Sequence, residues 1–296
     1  MTWRYSVDPP QFLRKVKKSF IHLIVPAIVI YILRTMVNMV HYYSNFSSLA
    51  YFKNYIADRL LTALFSSGVA LSVGDKEIEA IGMPWFLVAL FLGRTLPDFL
   101  HLQIQGKMLA VTCIVLSAIG VLGSKIQWLP FSFDIVLAIM PLLFMGGVLK
   151  MLQMEKRVWL KVGIYLAVWG ITFSGTYFAA GNYMELAARR YPLYPLCFIT
   201  AITGTLAVSE LSIAGMKAPR IIRAFLFLGR NSIYLYCVHM MDYIWAVFWN
   251  IGSSTWIFAI LRVIINIVVF MAVMGIIGCV RRLKARRADF IGGAEE

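Results

Sequence analysis

Three features of this chain predict an all-α, polytopic membrane bundle of about eight spanning helices with one further interfacial or re-entrant helix. The first is bulk composition: of 296 residues 60% are apolar and 14% charged, with a mean hydropathy of +0.78. A single soluble core of this length does not hide that much apolar surface. The second is the division of the chain into apolar stretches of spanning length separated by short polar connections. The third is an uneven distribution of Lys and Arg between alternate connections, as expected when positive charge accumulates on the cytoplasmic side.

Residues 1–18 read as a cytoplasmic basic segment, with Pro9-Pro10 interrupting regular structure ahead of Arg14, Lys15, Lys17 and Lys18 at the headgroups. The apolar run from Phe20 has no small-residue cleavage site after it and contains Arg34, so it reads as a retained span over 20–42, kinked at Pro26. Tyr55 to Val73 is apolar but carries Asp58 and Arg59 at one end and Gly68 inside, which predicts the interfacial or re-entrant helix. Residues 74–79 follow as an exposed loop. The next span, 84–100, opens on Pro84-Trp85 and holds Arg94 and Asp98 at the i, i+4 spacing of an ion pair. Further spans are expected over 108–124, 134–152, 158–180, 192–214, 232–251 and 256–280, with 281–296 as a cytoplasmic tail.

An even number of spans puts both ends on one side. Of the 28 Lys+Arg, only Lys53, Arg59, Lys76, Lys125, Arg189 and Arg190 fall in the opposite connections, while Arg34, Arg94 and Arg262 fall within spans. All the others lie with the N-terminus, so both termini are expected in the cytoplasm of a multi-pass cell-membrane protein. The formal charge of +14 is then anchoring charge and not a nucleic-acid footprint. Cys113, Cys197, Cys237 and Cys279 sit singly in apolar sequence, which excludes a disulfide framework and a zinc site; no metal is predicted. Repeats and low-complexity tracts are absent, so residues 1–296 read as one membrane domain.

Chemistry is expected where polar groups enter apolar segments. Ser232, Tyr236, His239 and Asp242 recur at intervals of four, three and three and line one helix face, which must turn to a bundle or wet cavity. Asp242 one turn beyond His239 suits an oriented general base. Ahead of them, Lys217, Arg220, Arg223 and Arg230 lie in a loop leading to a helix start, where a phosphate-bearing ligand can bind. Arg34, Arg94, Glu210 and Arg262 are further charges within spans, His41 faces the other compartment, and Trp85 stands at a span mouth. His22 and His101, at span ends, read as interfacial. Nucleotide hydrolysis, zinc proteolysis and α/β-hydrolase chemistry lack their motifs.

Three blocks carry a resemblance: Lys17-Lys18-Ser19-Phe20-Ile21-His22-Leu23-Ile24-Val25-Pro26, Pro84-Trp85-Phe86-Leu87-Val88-Ala89-Leu90-Phe91, and Leu228-Gly229-Arg230-Asn231-Ser232-Ile233-Tyr234-Leu235-Tyr236-Cys237-Val238-His239. In this order they resemble the membrane acyltransferase 3 family, which includes surface-polysaccharide O-acetyltransferases related to fucose 4-O-acetylases. The resemblance implies transfer of acetyl from cytosolic acetyl-CoA to a carbohydrate hydroxyl of an envelope glycan. It further implies His239 with Asp242 as base, Asn231, Ser232 or Tyr236 toward the thioester oxyanion, and Arg34, Arg94 or Arg230 toward the CoA phosphates. The family's first helix carries an Arg and a His taken as catalytic, and the family has ten spans; this chain begins where the family's third helix would begin. Competing expectations are a transporter or flippase of an envelope intermediate and a family member that binds without catalysing. Expected associates are the bilayer, acyl-CoA, a carbohydrate acceptor, and a second copy or an envelope-biosynthesis protein.

Overall fold

A computed structural model describes residues 5–41, 48–152, 158–215, 219–249 and 256–292. Several of the counted basic residues, among them Arg4, Lys156, Arg157 and Lys217, lie outside these. The described chain is 80% helical. Its helices pack into two compact units, Met1–Ile222 and Arg223–Glu296.

The first helix starts earlier than expected. Asp8 caps it by accepting from the Gln11 N–H at 2.7 Å, and Pro9 and Pro10 occupy the first turn of α1 (Pro9–Ser19), where a missing N–H costs no helical bond. The two prolines therefore begin regular structure instead of interrupting it. A π-turn, Phe20–Ile24, joins α1 to α2 (Val25–His41) in one helix of 33 residues. The Val25 N–H reaches back to the Phe20 carbonyl, so the disturbance expected at Pro26 is taken up by one widened turn just ahead of it.

The segment 55–73 is not a single helix. α3 (Leu49–Phe65) is capped by Ser48 and stops at Ser66, whose φ of 46° is left-handed. A hairpin of β1 (Leu71–Val73) and β2 (Lys76–Ile78) follows, turning at Gly74, whose φ of +60° favours glycine. At 17 residues α3 is about 26 Å long, short of a typical hydrocarbon core.

Next come α4 (Pro84–Gln103) and α5 (Gly106–Gly123), then a short 3-10 turn, Pro130–Ser132, and α6 (Phe133–Ala138) and α7 (Met140–Leu152). α6 is buried against α5 through Gly120, where an added Cβ would stand 2.4 Å from the Ala138 nitrogen. The Ser117 hydroxyl donates to the Ala138 carbonyl beside it. α8 (Val158–Ala180) and α9 (Leu196–Gly215) pair along their length and complete the described helices of the first unit ahead of α10.

The basic stretch expected as a loop is largely helical: α10 (Pro219–Arg230) begins on a proline in its first turn. In the second unit α11 (Ser232–Trp249) packs on α12 (Trp256–Gly292), which continues as helix beyond 280 into the expected tail. Phe227 and the buried Phe270 meet edge to face, with ring centroids 5.9 Å apart.

Six of the described helices are long and apolar enough to cross a membrane: Pro9–His41, Pro84–Gln103, Gly106–Gly123, Val158–Ala180, Leu196–Ile213 and Ala259–Val280. The other two expected spans correspond to the broken pair α6–α7 and to α11, which carries His239 and Asp242. The protein is an all-α polytopic membrane bundle.

Candidate functional site

At one end of the first unit the α3–α4, α5–α6 and α8–α9 connections converge on Arg189. Its Nε donates to Asp134 Oδ2 at 2.8 Å, and its Nη1 donates to the Ser67 hydroxyl at 2.8 Å and to the Ala187 carbonyl at 2.9 Å. Nη2 reaches the Ser132 hydroxyl at 3.3 Å, and the guanidinium lies 3.9 Å from the centre of the Trp128 ring. The Arg189 and Asp134 side chains are 2% and 1% exposed. Five donated bonds, the fifth from Nη2 to Asp134 Oδ1 at 3.5 Å, and a stacked ring are what a charge buried this deeply needs. The neighbouring Tyr191 phenol is pushed above its ordinary pKa by burial first and the Asp134 carboxylate second.

Arg34 lies at the same end. Its Nη1 donates to the Ile81 carbonyl at 2.7 Å, and the close approach requires Gly82, whose φ is +76° and where an added Cβ would lie 2.6 Å from that nitrogen. Trp85 is partly buried over Gly68, where a Cβ would come within 2.7 Å of the indole. His41 is exposed at the end of α2.

The second half of α4 carries Arg94, at mid-helix, then Asp98 and His101, spaced along one face. Asp98 is buried; its carboxylate accepts from the Ser6 N–H at 2.6 Å and the Ser6 hydroxyl at 2.7 Å, with Lys15 at 3.7 Å. Tyr5 stacks on His101 at 4.3 Å between centroids. The basic segment ahead of the first span is thereby docked onto α4. Arg94 stands ten residues along α4 from Pro84, about 15 Å from the end where Arg34 bonds Ile81. These two arginines do not converge on one phosphate.

In the second unit Asp242 is buried and turned to α12, where Arg262 donates to Oδ2 from Nε at 2.8 Å and from Nη2 at 2.6 Å. Asn266, one turn further along α12, is buried as well. His239 is exposed, Tyr236 half-buried, and Ser232 exposed at the start of α11. Asn231 bridges α10 and α11: its amide donates to the Phe227 carbonyl at 2.9 Å, and its carbonyl accepts from the Leu235 N–H at 3.1 Å. Arg230 ends α10 and is exposed. The polar face thus splits in use, with Asp242 gripping the partner helix and His239 presented outward from it. Glu210, another charge singled out in the sequence, pairs with Lys161 at 3.4 Å.

The Arg189 cluster is the group that sequence reading missed. Asp134, an acid at the head of an apolar segment, was the available signal for it. Among the described residues no group of three or more His, Cys, Asp or Glu is arranged to hold a metal.

Fold and polar groups together define a helical membrane protein with buried ion pairs tying its connections and helices. The model of one known family, described as an acyltransferase domain, matches residues 3–279. The chain belongs to the acyltransferase 3 family. Searches of curated proteins and of solved structures return no match.

Proposed function

We propose that this protein is an integral-membrane O-acyltransferase that carries acetyl from acetyl-CoA to a carbohydrate hydroxyl of a cell-envelope glycan. The observation that carries this reading is the family match over nearly the whole chain. The bias of Lys and Arg toward the N-terminal side supports a cytoplasmic N-terminal end in the cell membrane, so the Arg189 end faces outward. In this reading Arg230, in the same unit as His239, attracts the CoA phosphates, whereas Arg34 belongs to the outward end of the first unit.

His239 acts as the base. The acceptor oxygen attacks the thioester carbon as its proton passes to His239; collapse of the tetrahedral oxyanion breaks the C–S bond, and the CoA thiolate takes up the proton. Asn231, Ser232 and Tyr236 supply polar atoms toward the oxyanion. Asp242 is a positioning residue, fixing the His239 turn of α11 against α12 through Arg262.

Purified protein in detergent is assayed for acetyl-CoA binding and for release of free CoA thiol with and without envelope glycan. Glycan-dependent release is expected. Binding without turnover selects the non-catalytic family member, and no binding rejects acyl transfer from this donor.

A further inference from the structure

A cavity of about 530 Å³, within the range of ligand sites, opens between β1 and the turn that follows α5. It shares a wall with the Arg189 cluster. Trp128, in the lining, has the Arg189 guanidinium 3.9 Å from its ring centre and packs against the core of Phe65, Leu71 and Ile78. The buried ion pair thus fixes an indole at the cavity. The rest of that wall is held by its own backbone: the N–H groups of Ile126 and Gln127 both donate to the Gly123 carbonyl, at 2.9 and 3.0 Å.

The facing wall follows from the register of the hairpin. Leu71 and Ile78 are cross-strand partners and are buried, so the alternation of a strand puts the next pair, Ser72 and Glu77, exposed on the opposite face. Both line the cavity, as do Lys125 and Gln127 from the turn. Among the described residues these four side chains make no hydrogen bond or ion pair.

The chemistry of that lining selects an occupant. Glu77 only accepts, Lys125 only donates, and Ser72 and Gln127 do both, which suits a ligand rich in hydroxyls that each donate and accept. One carboxylate against one ammonium leaves the lining without net charge, so neither an anion nor a cation is favoured. A pyranose ring also carries a C–H face, and the Trp128 indole with the exposed Ile126 side chain is its apolar counterpart. A lipid chain would leave the polar groups unpaired. An open strand edge of three residues offers too few main-chain bonds to add a peptide strand.

We propose that this cavity binds a neutral stretch of oligosaccharide and serves as a docking site for the acceptor glycan, away from the hydroxyl that is acylated. The acceptor role rests on the acyl-transfer reading, as does the outward position of this end; the binding of sugar does not.

The test passes the whole protein in detergent over immobilised neutral glucan and galactan oligosaccharides, the same glycans carrying uronate or phosphate groups, and extended peptides. Retention is expected on the neutral glycans. Gln127→Ala is expected to weaken it about 2–10-fold and Glu77→Ala about 10-fold or more, whereas Lys107→Ala, at the start of α5, leaves it unchanged. Ser72→Trp, at an exposed strand position that accepts an aromatic, fills the cavity and abolishes retention at unchanged Tm. In the CoA-release assay Glu77→Ala raises the KM for the glycan and not that for acetyl-CoA. Absence of neutral-glycan retention, retention indifferent to all three cavity substitutions, a preference for the charged glycans, or retention of the peptides alone each overturns the proposal. Glycan held here by a protein that does not bind acetyl-CoA rejects acyl transfer and leaves the sugar site standing. CoA release at wild-type glycan KM in both Glu77→Ala and Ser72→Trp rejects the site and leaves acyl transfer standing.

Discussion

Replacing Arg189 by Met removes the cation on which three connections converge while keeping an unbranched side chain of similar reach. Asp134, 1% exposed, is then left as a buried carboxylate without its ion partner, and the hydroxyls of Ser67 and Ser132 lose a donor. Breaking a buried pair from one side costs about 3–5 kcal/mol. At roughly 2–4 °C per kcal/mol for a unit of this size, Tm falls by about 6–20 °C. Unfolding is followed in detergent with a thiol-reactive fluorophore, because Cys113 and Cys197 are buried in the fold. The double variant Arg189→Met with Asp134→Leu removes both charges and recovers most of the loss, since an apolar pair of similar volume carries no desolvation cost. A Tm for Arg189→Met within about 2 °C of wild type would refute the view that this cluster ties the connections together.

Four other outcomes are expected. Asp242→Ala lowers stability by about 1–3 kcal/mol, since the Arg262 side chain left behind is 36% exposed, and adding Arg262→Met restores part of it; strictly additive losses in thermal unfolding would show that the two side chains do not couple. Gly120→Val forces a side chain into the Ala138 backbone and prevents recovery of folded protein, whereas the same change at Gly123, which faces open space, is tolerated; size-exclusion chromatography separates these results. Asp98→Asn weakens the hold on Ser6 and Lys15, and protease cleavage ahead of Pro9 quickens at unchanged Tm. His239→Ala lowers transfer by about 10²–10⁴-fold without a change in Tm, because the side chain is exposed; wild-type turnover would remove it from the chemistry.

Long uninterrupted apolar runs were legible from the chain alone. Val158–Ala180 has the bounds expected of it because no proline or polar cluster breaks its helical pattern. Composition was blind to conformation elsewhere: the apolar run through Tyr55–Val73 hides Ser66, whose left-handed backbone stops the helix. Pro141 was a readable signal that 134–152 breaks, since its missing N–H denies Leu137 a helical partner, and the helix does part at Ile139. Charge counting read the α10 stretch as a loop, yet its apolar residues recur at helical spacing. In the candidate site the polar face of α11 was readable from its spacing, whereas the partner of Asp242 was not. Arg262 lies 20 residues away, and only the packing of α11 on α12 decides which acid meets which base. Arg189 escaped because a topological count treats every arginine as an anchor, and nothing in one dimension separates a solvated one from a buried one.

The widened turn at Phe20–Ile24 acts as a phase shifter. One residue more than an α-turn rotates everything ahead of it by roughly 100° relative to the helix behind. The apolar stripe of α2 and the basic stripe of α1 are thereby set independently, so Lys15 faces Asp98 while Arg34, further along the same continuous rod, faces Ile81. Deleting a single residue from this turn would leave the helix apolar, membrane-long and nearly unchanged in composition, yet would swing the basic N-terminal face away from α4.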